Sequence, residues 1–333
     1  MRKPVVLISG AAGEIGHALI DHLVEAGGRS IVTVDLRPLE PELAAKVDRA
    51  FTGSILDQAL LESIEAEFAV DRIYHLAALL STRSEFTPVA AHEVNVRGTL
   101  NLLEFAASQA RSRGEHVVFF YPSSIAAYGV PADAAMPEGG WQERDHNHPT
   151  TMYGCNKLYC EHLGRYYARH YRQLDAEPSA GRVDFRSIRF PGLISAHTVP
   201  SGGTSDYAPE MIHAAAQGQH YDCFVRPDTR IPFMAMPDAV SAILKLMDAP
   251  REALGQLVYN VGAFAPSAGD FRALVEDVFP GASIGEAVDA KRQGIVDYWP
   301  DDVDCSAAER DWGMAPDYDL TRAFDEYLVP TIK

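Results

Sequence analysis

The glycine-rich stretch GAAGEIG, residues 10–16, constrains the fold of this chain more than any other feature. It follows the apolar run VVLIS at 5–9 and opens a segment in which Ile15, Leu19 and Leu23 recur at helical spacing. A strand, a glycine turn and a helix in that order form a unit that binds a dinucleotide, and G-x-x-G-x-x-G is a variant of its fingerprint. The sequence therefore predicts a dinucleotide site at the start of the first helix.

Each glycine of this stretch has its own physical task. Gly10 allows the chain to leave the strand in a tight turn, Gly13 lets a pyrophosphate approach the backbone, and Gly16 lets the helix pack close to the sheet. The unpaired N–H groups at the helix N-terminus then face the anion. The simpler interpretation, a glycine turn without a ligand, would not require the flanking strand and amphipathic helix.

Short apolar runs alternate with helical stretches through the first 190 residues. In one such stretch Leu60, Ile64 and Phe68 recur every four residues. The alternation predicts an α/β fold, a doubly wound parallel sheet of the Rossmann type with helices on both faces. The predicted strands are VVLIS (5–9), SIVTVDL (30–36), RIYHLAA (72–78), HVVFFYPSS (116–124) and FRSIRF (185–190).

After residue 190 the sequence pattern changes, and glycine and proline interrupt the apolar runs. We expect a helix at 237–248 and a strand at 257–261 to return to the sheet, and small helices and loops from 263 onward. These expectations predict a second, smaller C-terminal lobe that binds the substrate. The predicted division is 1–190 plus 233–262 for the Rossmann domain and 191–232 plus 263–333 for the substrate lobe.

An acidic residue, Asp35, ends the second predicted strand. A carboxylate there can accept both ribose hydroxyls of NAD and would repel the 2′-phosphate of NADP. Arg37 would soften this preference without reversing it, so we predict NAD as the cofactor. Asp57, in TGSILD, is open to two interpretations, contact with the adenine edge or the N-cap of the next helix.

Composition excludes several classes of partner. The net charge of −17, from 46 acidic and 29 basic residues with no basic patch, would repel nucleic acid and anionic lipid. No apolar run approaches the ~20 residues that span a bilayer, and Val5 to Ile8 is too short for a secretory signal. The scattered cysteines contain no C-x-x-C pair, which argues against disulfides and a zinc knuckle. We expect a cytoplasmic protein whose partner is a small molecule.

Tyr153 stands four residues before Lys157, and an exposed helical pair is the simplest interpretation of that spacing. Oxidation of a secondary alcohol by a nicotinamide, however, needs a base for the hydroxyl proton. An ammonium about 5 Å away, at an effective dielectric near 20, favours the phenolate by roughly 3 kcal/mol, or about two pKa units. Lys157 is thus expected to lower the pKa of Tyr153, while Ser124 orients the substrate oxygen.

These motifs together resemble a known superfamily. GAAGEIG, HLAA (75–78), NVRGT (95–99), PSSIAAYG (122–129) and Y-x-x-x-K are similar to those of the extended short-chain dehydrogenases/reductases, the NAD-dependent epimerase/dehydratase superfamily. Within it, IRFPGLIS (188–195) and SGGTSDYAPEM (201–211) resemble the L-threonine 3-dehydrogenase branch. The resemblance covers essentially the whole chain.

The resemblance implies a set of site residues. Ser124, Tyr153 and Lys157 would be catalytic, and Asn95 would support the active-site backbone. The implied cofactor contacts are Gly10, Gly13, Glu14, Ile15, Gly16, Asp35, Leu36, Ser54, Ile55, Leu76, Ala77, Ala78, Asn95, Tyr153, Lys157 and Pro191. The implied substrate contacts are Ser81, Ser124, Thr204 and Trp299, with Leu193 near the nicotinamide. A homodimer, formed by helices near 88–108 and 150–172, is also implied.

Three functions remain open at this point. The first is NAD-dependent oxidation of L-threonine, or a closely related β-hydroxy compound, to the 3-keto product. The second is a nucleotide-sugar 4-epimerase or dehydratase, which uses the same triad and needs cations such as Arg226 and Arg230 for a diphosphate. The third is a non-catalytic NAD-binding regulator, which would need none of the triad.

Two departures from the branch bear on the substrate. Tyr128 stands where the branch often has phenylalanine, and extra residues at 131–149 and 175–184 are expected to enlarge the loops near the pocket. His146 and His148 suit a solvated loop better than a metal site, because no helical carboxylate–histidine spacing accompanies them. We therefore predict no metal. Trp299 is open to two interpretations, substrate contact and core packing.

Overall fold

A central sheet of seven parallel strands organises the computed structural model, which describes residues 4–176, 181–198 and 203–332. Its order is β3-β2-β1-β4-β5-β6-β10, and every adjacent pair is parallel. The strands are β1 Pro4–Ser9, β2 Ser30–Asp35, β3 Arg49–Thr52, β4 Ala69–His75, β5 Val117–Ser124, β6 Val183–Phe190 and β10 Val258–Asn260. This order confirms the doubly wound parallel sheet, and it reverses direction beside β1, where such sheets bind ligands.

Two small parallel pairs lie outside the central sheet. They join β7 Gly192–Ile194 to β9 Phe233–Ala235, and β8 His220–Cys223 to β11 Ser283–Glu286. Strand β11 was not expected, since only loops and small helices were predicted beyond residue 263. Its sequence, SIGE, contains a single apolar residue and carries no strand pattern of its own.

Helices cover both faces of the central sheet. The α-helices are α1 Glu14–Ala26, α2 Pro41–Ala44, α3 Gln58–Glu67, α4 Ser81–Phe86, α5 Pro88–His92, α6 Gly98–Arg113, α7 Met152–Arg169, α8 Tyr207–Ala216, α9 Met236–Asp248, α10 Ala268–Val278, α11 Ala290–Val296, α12 Ser306–Trp312, α13 Leu320–Arg322 and α14 Val329–Ile332. Glu93–Arg97 and Ala323–Leu328 are π-helical, and Ile125–Ala127 and Arg251–Ala253 form 3₁₀ turns. None of the described helices is long and apolar enough to cross a bilayer.

The sheet separates two apolar cores because successive side chains of a strand point to opposite faces. In β1, Val5 and Leu7 pack on the side of α3, α6 and α7, whereas Val6 and Ile8 pack on the side of α1 and α9. All four are buried. Burial on both faces explains why these strands appear in the sequence as continuous apolar runs.

The predicted return of the chain to the sheet is confirmed, since α9 and β10 occupy the helix and strand expected at 237–248 and 257–261. A third apolar core lies farther on and contains Tyr207, Phe271 and Phe324. The exact division into a Rossmann domain and a substrate lobe stays a prediction. Of the segments singled out in the sequence, 177–180 and 201–202 lie outside the described residues.

Candidate active site

A cavity of about 900 Å³ opens where β4, β5 and β6 end. Parallel strands present their carboxyl ends on one edge, so residues far apart in the sequence meet there. Asn95 lies behind the wall of this cavity. Ten other predicted site residues line it: Ile15, Leu76, Ala78, Ser81, Ser124, Tyr153, Lys157, Pro191, Leu193 and Trp299.

Ser124 and Tyr153 are brought together by a close contact between a strand end and a helix start. Ser124 is the last residue of β5, and its Oγ accepts a hydrogen bond from the N–H of Ala126 at 3.1 Å. Helix α7 begins at Met152, capped by Thr151, and a side chain at Gly154 would lie 2.0 Å from the carbonyl oxygen of Ala126. Glycine therefore lets the start of α7 pack directly against the exit of β5.

Lys157 lies buried beneath the phenol, one helical turn along α7. Its ammonium donates to the carbonyl of Pro122 and sits 5.2 Å from the ring centroid of Tyr153 and 4.8 Å from that of Tyr121. Burial lowers the pKa of Lys157 to about 8. The predicted distance of about 5 Å between the ammonium and the phenol ring thus agrees with the structure.

We expected Lys157 to lower the pKa of Tyr153. For the side chains of the protein by themselves, this expectation is wrong. The pKa of Tyr153 is raised above its ordinary value because the side chain is shielded from water. The Tyr153–Lys157 spacing reveals a nearby charge but not the burial that makes a phenolate costly. In the structure burial is the cause of the raised pKa of Tyr153, and burial also lowers the pKa of Lys157.

Asn95 lies in the π-helical turn Glu93–Arg97 and is almost fully buried. Its Oδ1 accepts from the N–H of Leu79 at 2.8 Å and its Nδ2 donates to the carbonyl of the same residue at 3.0 Å. Leu79 belongs to the loop that follows β4 and lines the cavity. Asn95 therefore fixes the backbone of that loop, in agreement with the supporting position implied for it.

The glycine turn has the shape that a dinucleotide pyrophosphate requires. A Cβ at Gly10, where φ is +73°, would lie 2.6 Å from the backbone nitrogen of Ala77, and one at Gly16 would lie 2.5 Å from the carbonyl oxygen of Ala11. Gly13 is exposed and meets no such obstacle. Packing therefore demands glycine at two positions, and the third leaves open the face at the N-terminus of α1, which fits the anion of NAD.

The carboxylate of Asp35 is held beside this turn. Its two oxygens accept from the N–H groups of Ala12 at 3.0 Å and Arg37 at 2.9 Å, and the guanidinium of Arg37 donates to the carbonyl of Ala12 at 3.1 Å. Asp35 thus stands at the carboxyl end of β2, where a ribose carboxylate ligand belongs. The neighbouring Leu36 is exposed.

The loop after β3 holds the other residues expected around the adenosine. Ser54 accepts from the N–H of Leu56 at 3.1 Å, and Ile55 is buried, its carbonyl accepting from Asn101 at 3.1 Å. Asp57 caps α3 by accepting from the N–H of Leu60 at 3.2 Å, which supports the second of its two interpretations.

Comparisons with known proteins decide the family. The model of the NAD-dependent epimerase/dehydratase family matches residues 6–262. The chain belongs to this family. Membership implies NAD(H) as the cofactor, and the cradle and Asp35 described above fit it.

Two groups of relatives stand out within the family. An uncharacterized epimerase/dehydratase of Staphylococcus haemolyticus is 36% identical over 321 residues, which cover 95% of this chain and 93% of that protein. The GalE-like L-threonine dehydrogenase of Cupriavidus necator, in its holo form, superposes with a TM-score of 0.84 at 34% identity over 98% of this chain and 99% of that one. L-threonine dehydrogenase of Clostridium difficile gives a TM-score of 0.84 at 32% identity over 99% and 98%.

A row of buried, hydrogen-bonded polar side chains that leads to Asn95 was not predicted. His75, in the HLAA motif, is bonded through Nδ1 to Ser9 at 2.8 Å and through Nε2 to Thr99 at 2.9 Å. Because Thr99 donates its hydroxyl proton to the carbonyl of Asn95, it accepts from Nε2–H, and Ser9 donates to Nδ1. Burial lowers the pKa of His75 to about 3, so the ring is neutral.

A buried ion pair also escaped the sequence argument. Arg189 of β6 donates from Nε and Nη2 to both oxygens of Glu161 on α7, at 2.8 and 2.7 Å, and both side chains are buried. Glu161 also accepts from Ser123, the neighbour of Ser124, at 2.5 Å, and Arg189 reaches Asn147 at 2.8 Å. The pair therefore joins β6 to α7, the helix that carries Tyr153 and Lys157, and the bond from Ser123 ties β5 to the same helix. The sequence signal was an arginine inside a fully buried strand.

Tyr128 and the 131–149 loop, two of the features that depart from the threonine branch, lie outside the lining of the cavity. Tyr128 is fully buried and donates to Asn260 at 2.9 Å, with Arg189 over its ring. None of the described residues of 131–149 lines the cavity. That loop instead pairs Trp141 with the segment at Val303, which follows Trp299. Neither Tyr128 nor this loop lines the cavity, and the expected influence of the two departures on the substrate stays a prediction.

The predicted substrate residues approach the cavity from several elements. Ser81 begins α4, and its Oγ accepts from the hydroxyl of Thr204 at 3.4 Å. Thr204 is buried next to Gly203 and Ser205, which line the cavity, and Trp299 both lines the cavity and packs in the third core, so core packing is confirmed and substrate contact stays a prediction. Glu14 contacts the hydroxyl of Ser195.

The histidines of the 131–149 loop have other neighbours. His146 packs edge-on against Trp141 with ring centroids 4.7 Å apart. Within the described ranges, no group of three histidine, cysteine or acidic side chains is arranged to hold a metal ion.

Proposed function

We propose that this chain is an NAD-dependent dehydrogenase that oxidises the secondary alcohol of L-threonine, or of a closely related β-hydroxy compound, to the 3-keto product. The observation that carries the proposal is the meeting of Ser124, Tyr153 and Lys157 in the cavity next to the glycine turn. The two L-threonine dehydrogenases named above, at 34% and 32% identity over nearly the whole chain, support the substrate.

The protein groups would divide the work of the reaction. Ser124, at the cavity surface, would hydrogen-bond the substrate hydroxyl and orient it toward Tyr153, whose phenolate form would accept the hydroxyl proton. Lys157 would stabilise the phenolate from below and contact the nicotinamide ribose. Bound NAD supplies the hydride acceptor. Gly10, Gly13 and Gly16 would hold its pyrophosphate and Asp35 its adenosine ribose.

The substrate lobe disfavours the nucleotide-sugar alternative. Arg226 forms ion pairs with Asp228 at 3.3 Å and Asp297 at 2.7 Å, and Arg230 pairs with Asp270 at 3.3 Å. Neither arginine lines the cavity. The cations considered for a diphosphate are thus engaged elsewhere. A regulator without catalysis is disfavoured because it would gain nothing from the buried ammonium beneath Tyr153.

We also propose a homodimer formed by α5, α6 and α7. Of these helices, α5 leaves Val89 77% exposed and α7 leaves Tyr159 51% and Tyr166 41% exposed, large side chains that a second copy would cover. Light scattering should give twice the chain mass, and Val89→Glu combined with Tyr159→Glu should give the chain mass. A monomeric wild-type chain would contradict the dimer without touching the catalytic proposal.

The function is tested by a substrate panel with purified protein. L-threonine and NAD should produce NADH, seen as absorbance at its characteristic band, while UDP-glucose should give neither NADH nor UDP-galactose. Production of UDP-galactose without net NADH would instead establish the alternative. Absence of NADH with threonine and with other β-hydroxy acids between pH 7 and 10 would remove the proposal.

A further inference from the structure

Few charged residues line the cavity. Among the described lining residues they are one arginine, one lysine and one aspartate: Arg83, Lys157 and Asp206. Lys157 is buried and committed to the carbonyl of Pro122 and to two aromatic rings. One cation and one anion, Arg83 and Asp206, therefore remain to meet a substrate.

Arg83 is a cation without a protein counterion. It lies on α4, two residues after Ser81, and its side chain is exposed at the cavity. Within the part of the chain that the structure describes, no carboxylate comes within ion-pair distance of its guanidinium. Other arginines of this acidic chain, such as Arg226 and Arg322, do have such partners. A guanidinium left open on a cavity wall is suited to bind a carboxylate through two parallel hydrogen bonds.

Asp206 has one free carboxylate oxygen. Its Oδ2 accepts from the N–H of Gly203 at 2.5 Å, which holds the side chain in place just before α8. Oδ1 accepts no hydrogen bond from any described residue. An ammonium group can supply the missing donor, and an anionic group placed there would be repelled.

The two charges lie on segments that touch one another. The hydroxyl of Thr204, in the segment that carries Asp206, donates to Ser81 at the start of α4 at 3.4 Å. Both segments line the same cavity as Ser124 and Tyr153. The cavity that contains Ser124 and Tyr153 therefore also presents one cation and one anion of this chain.

We infer that Arg83 binds the carboxylate and Asp206 the ammonium of a zwitterionic β-hydroxy-α-amino acid. The inference rests on the proposed dehydrogenase function and deepens it by assigning the groups that select the substrate. A dianionic diphosphate would meet the carboxylate of Asp206, and an uncharged alcohol would leave both side chains unpaired, so recognition works by exclusion as well as by attraction.

Analogues that lack one charge give the sharpest test. Wild-type kcat/KM should be highest for L-threonine and lower for 1-amino-2-propanol, which lacks the carboxylate, and for 3-hydroxybutyrate, which lacks the ammonium. Arg83→Gln should raise the KM for L-threonine by about 10- to 100-fold, the loss expected for a charged hydrogen bond, and leave kcat nearly unchanged. The same change should leave kcat/KM for 1-amino-2-propanol near its wild-type value.

Asp206→Asn supplies the complementary test, since asparagine keeps an oxygen for the N–H of Gly203. The substitution should weaken the binding of L-threonine by about tenfold or more. It should leave kcat/KM for 3-hydroxybutyrate unchanged or raised. Arg251→Gln is the matched control, because Arg251 is exposed and does not line the cavity, and its guanidinium bonds to His116. It should behave as wild type.

Binding separates failure of this inference from failure of the proposed function. Calorimetry with NADH present measures the affinity for L-threonine whether or not turnover occurs. If the protein turns over L-threonine but every variant loses kcat/KM equally for both analogues, the inference is overturned and the proposed function is kept. Charge-selective binding that Arg83→Gln abolishes, without turnover, would support the inference against the function. Absence of binding by any of the three compounds would overturn both.

Discussion

Two regions of the active-site cavity differ in how they are built. The catalytic floor, Ser124, Tyr153 and Lys157, rests on a buried strand end and a buried helix face, and each side chain is constrained by packing or hydrogen bonds. The open wall, Arg83 and Asp206, is solvent-accessible and carries charges that lack ionic partners in the described chain. Under the proposed function, the floor would set the reaction and the wall would set the substrate. Changes to the floor should alter turnover or stability, whereas changes to the wall should alter KM.

The largest expected effect is on the floor. Tyr153→Phe removes the proton acceptor and should lower kcat by about 10³- to 10⁴-fold while the affinity for NAD stays near its wild-type value. Steady-state kinetics and calorimetry with NAD measure the two quantities. Tyr159→Phe, on the exposed side of the same helix, serves as the control. A variant at Tyr153 that retained a tenth of the activity would assign the base to another group.

The buried ion pair that supports the catalytic floor should contribute far more to the free energy of unfolding than the wall does. Arg189→Met leaves Glu161 buried and unpaired, and should lower the free energy of unfolding by about 3–5 kcal/mol. Arg83→Met on the wall should change it by no more than about 0.5 kcal/mol, because the side chain is exposed. Denaturant unfolding of both variants gives the comparison. Equal effects would mean that the two regions do not differ as described.

Lys157 should make the stability of the floor depend on pH. Its pKa is lowered from 10.5 to about 8 in the folded chain, so between these values the unfolded chain binds more protons and the free energy of unfolding rises with pH. The gain should amount to about 2–3 kcal/mol and vanish at and below pH 8, relative to Lys157→Met. A wild-type and variant difference that stayed constant from pH 7.5 to 10 would contradict this behaviour.

The smallest predicted effect concerns the cofactor, outside both regions. Asp35→Asn removes the negative charge that faces the ribose and should reduce the preference for NAD over NADP by about tenfold. Ratios of kcat/KM for the two cofactors measure it. Asp57→Asn keeps an oxygen for the cap of α3 and should leave the ratio unchanged. The opposite pattern would place the discriminating carboxylate at Asp57.

The sequence was informative about the floor and much less so about the wall. The strands of the first half were predictable because both of their faces are buried, which leaves continuous apolar runs such as VVLIS and FRSIRF. The resemblance and the Y-x-x-x-K spacing predicted that Ser124, Tyr153 and Lys157 meet, and all three line one cavity, while their catalytic role stays a prediction. Membership of the epimerase/dehydratase family confirms the corresponding resemblance.

What failed depended on tertiary structure. The direction of the pKa shift at Tyr153 follows from burial, which no local spacing reveals. Arg83 and Asp206 are distant in the sequence and carry no motif that links them, and strand β11 exists only because β8 pairs with it. Tyr128 and the 131–149 loop are near the triad in the sequence, yet the structure bonds Tyr128 to Asn260 and pairs Trp141 of the loop with Val303, and neither lines the cavity.

The most direct test of the account follows the hydrogen on the substrate's β-carbon. L-threonine deuterated at that carbon should be mixed with NAD and the protein, and the reduced cofactor analysed by mass spectrometry. The account predicts NADH that carries one deuterium and accumulates with turnover, and none with Tyr153→Phe. Unlabelled NADH, or a label that returns to the substrate while no reduced cofactor accumulates, would contradict it.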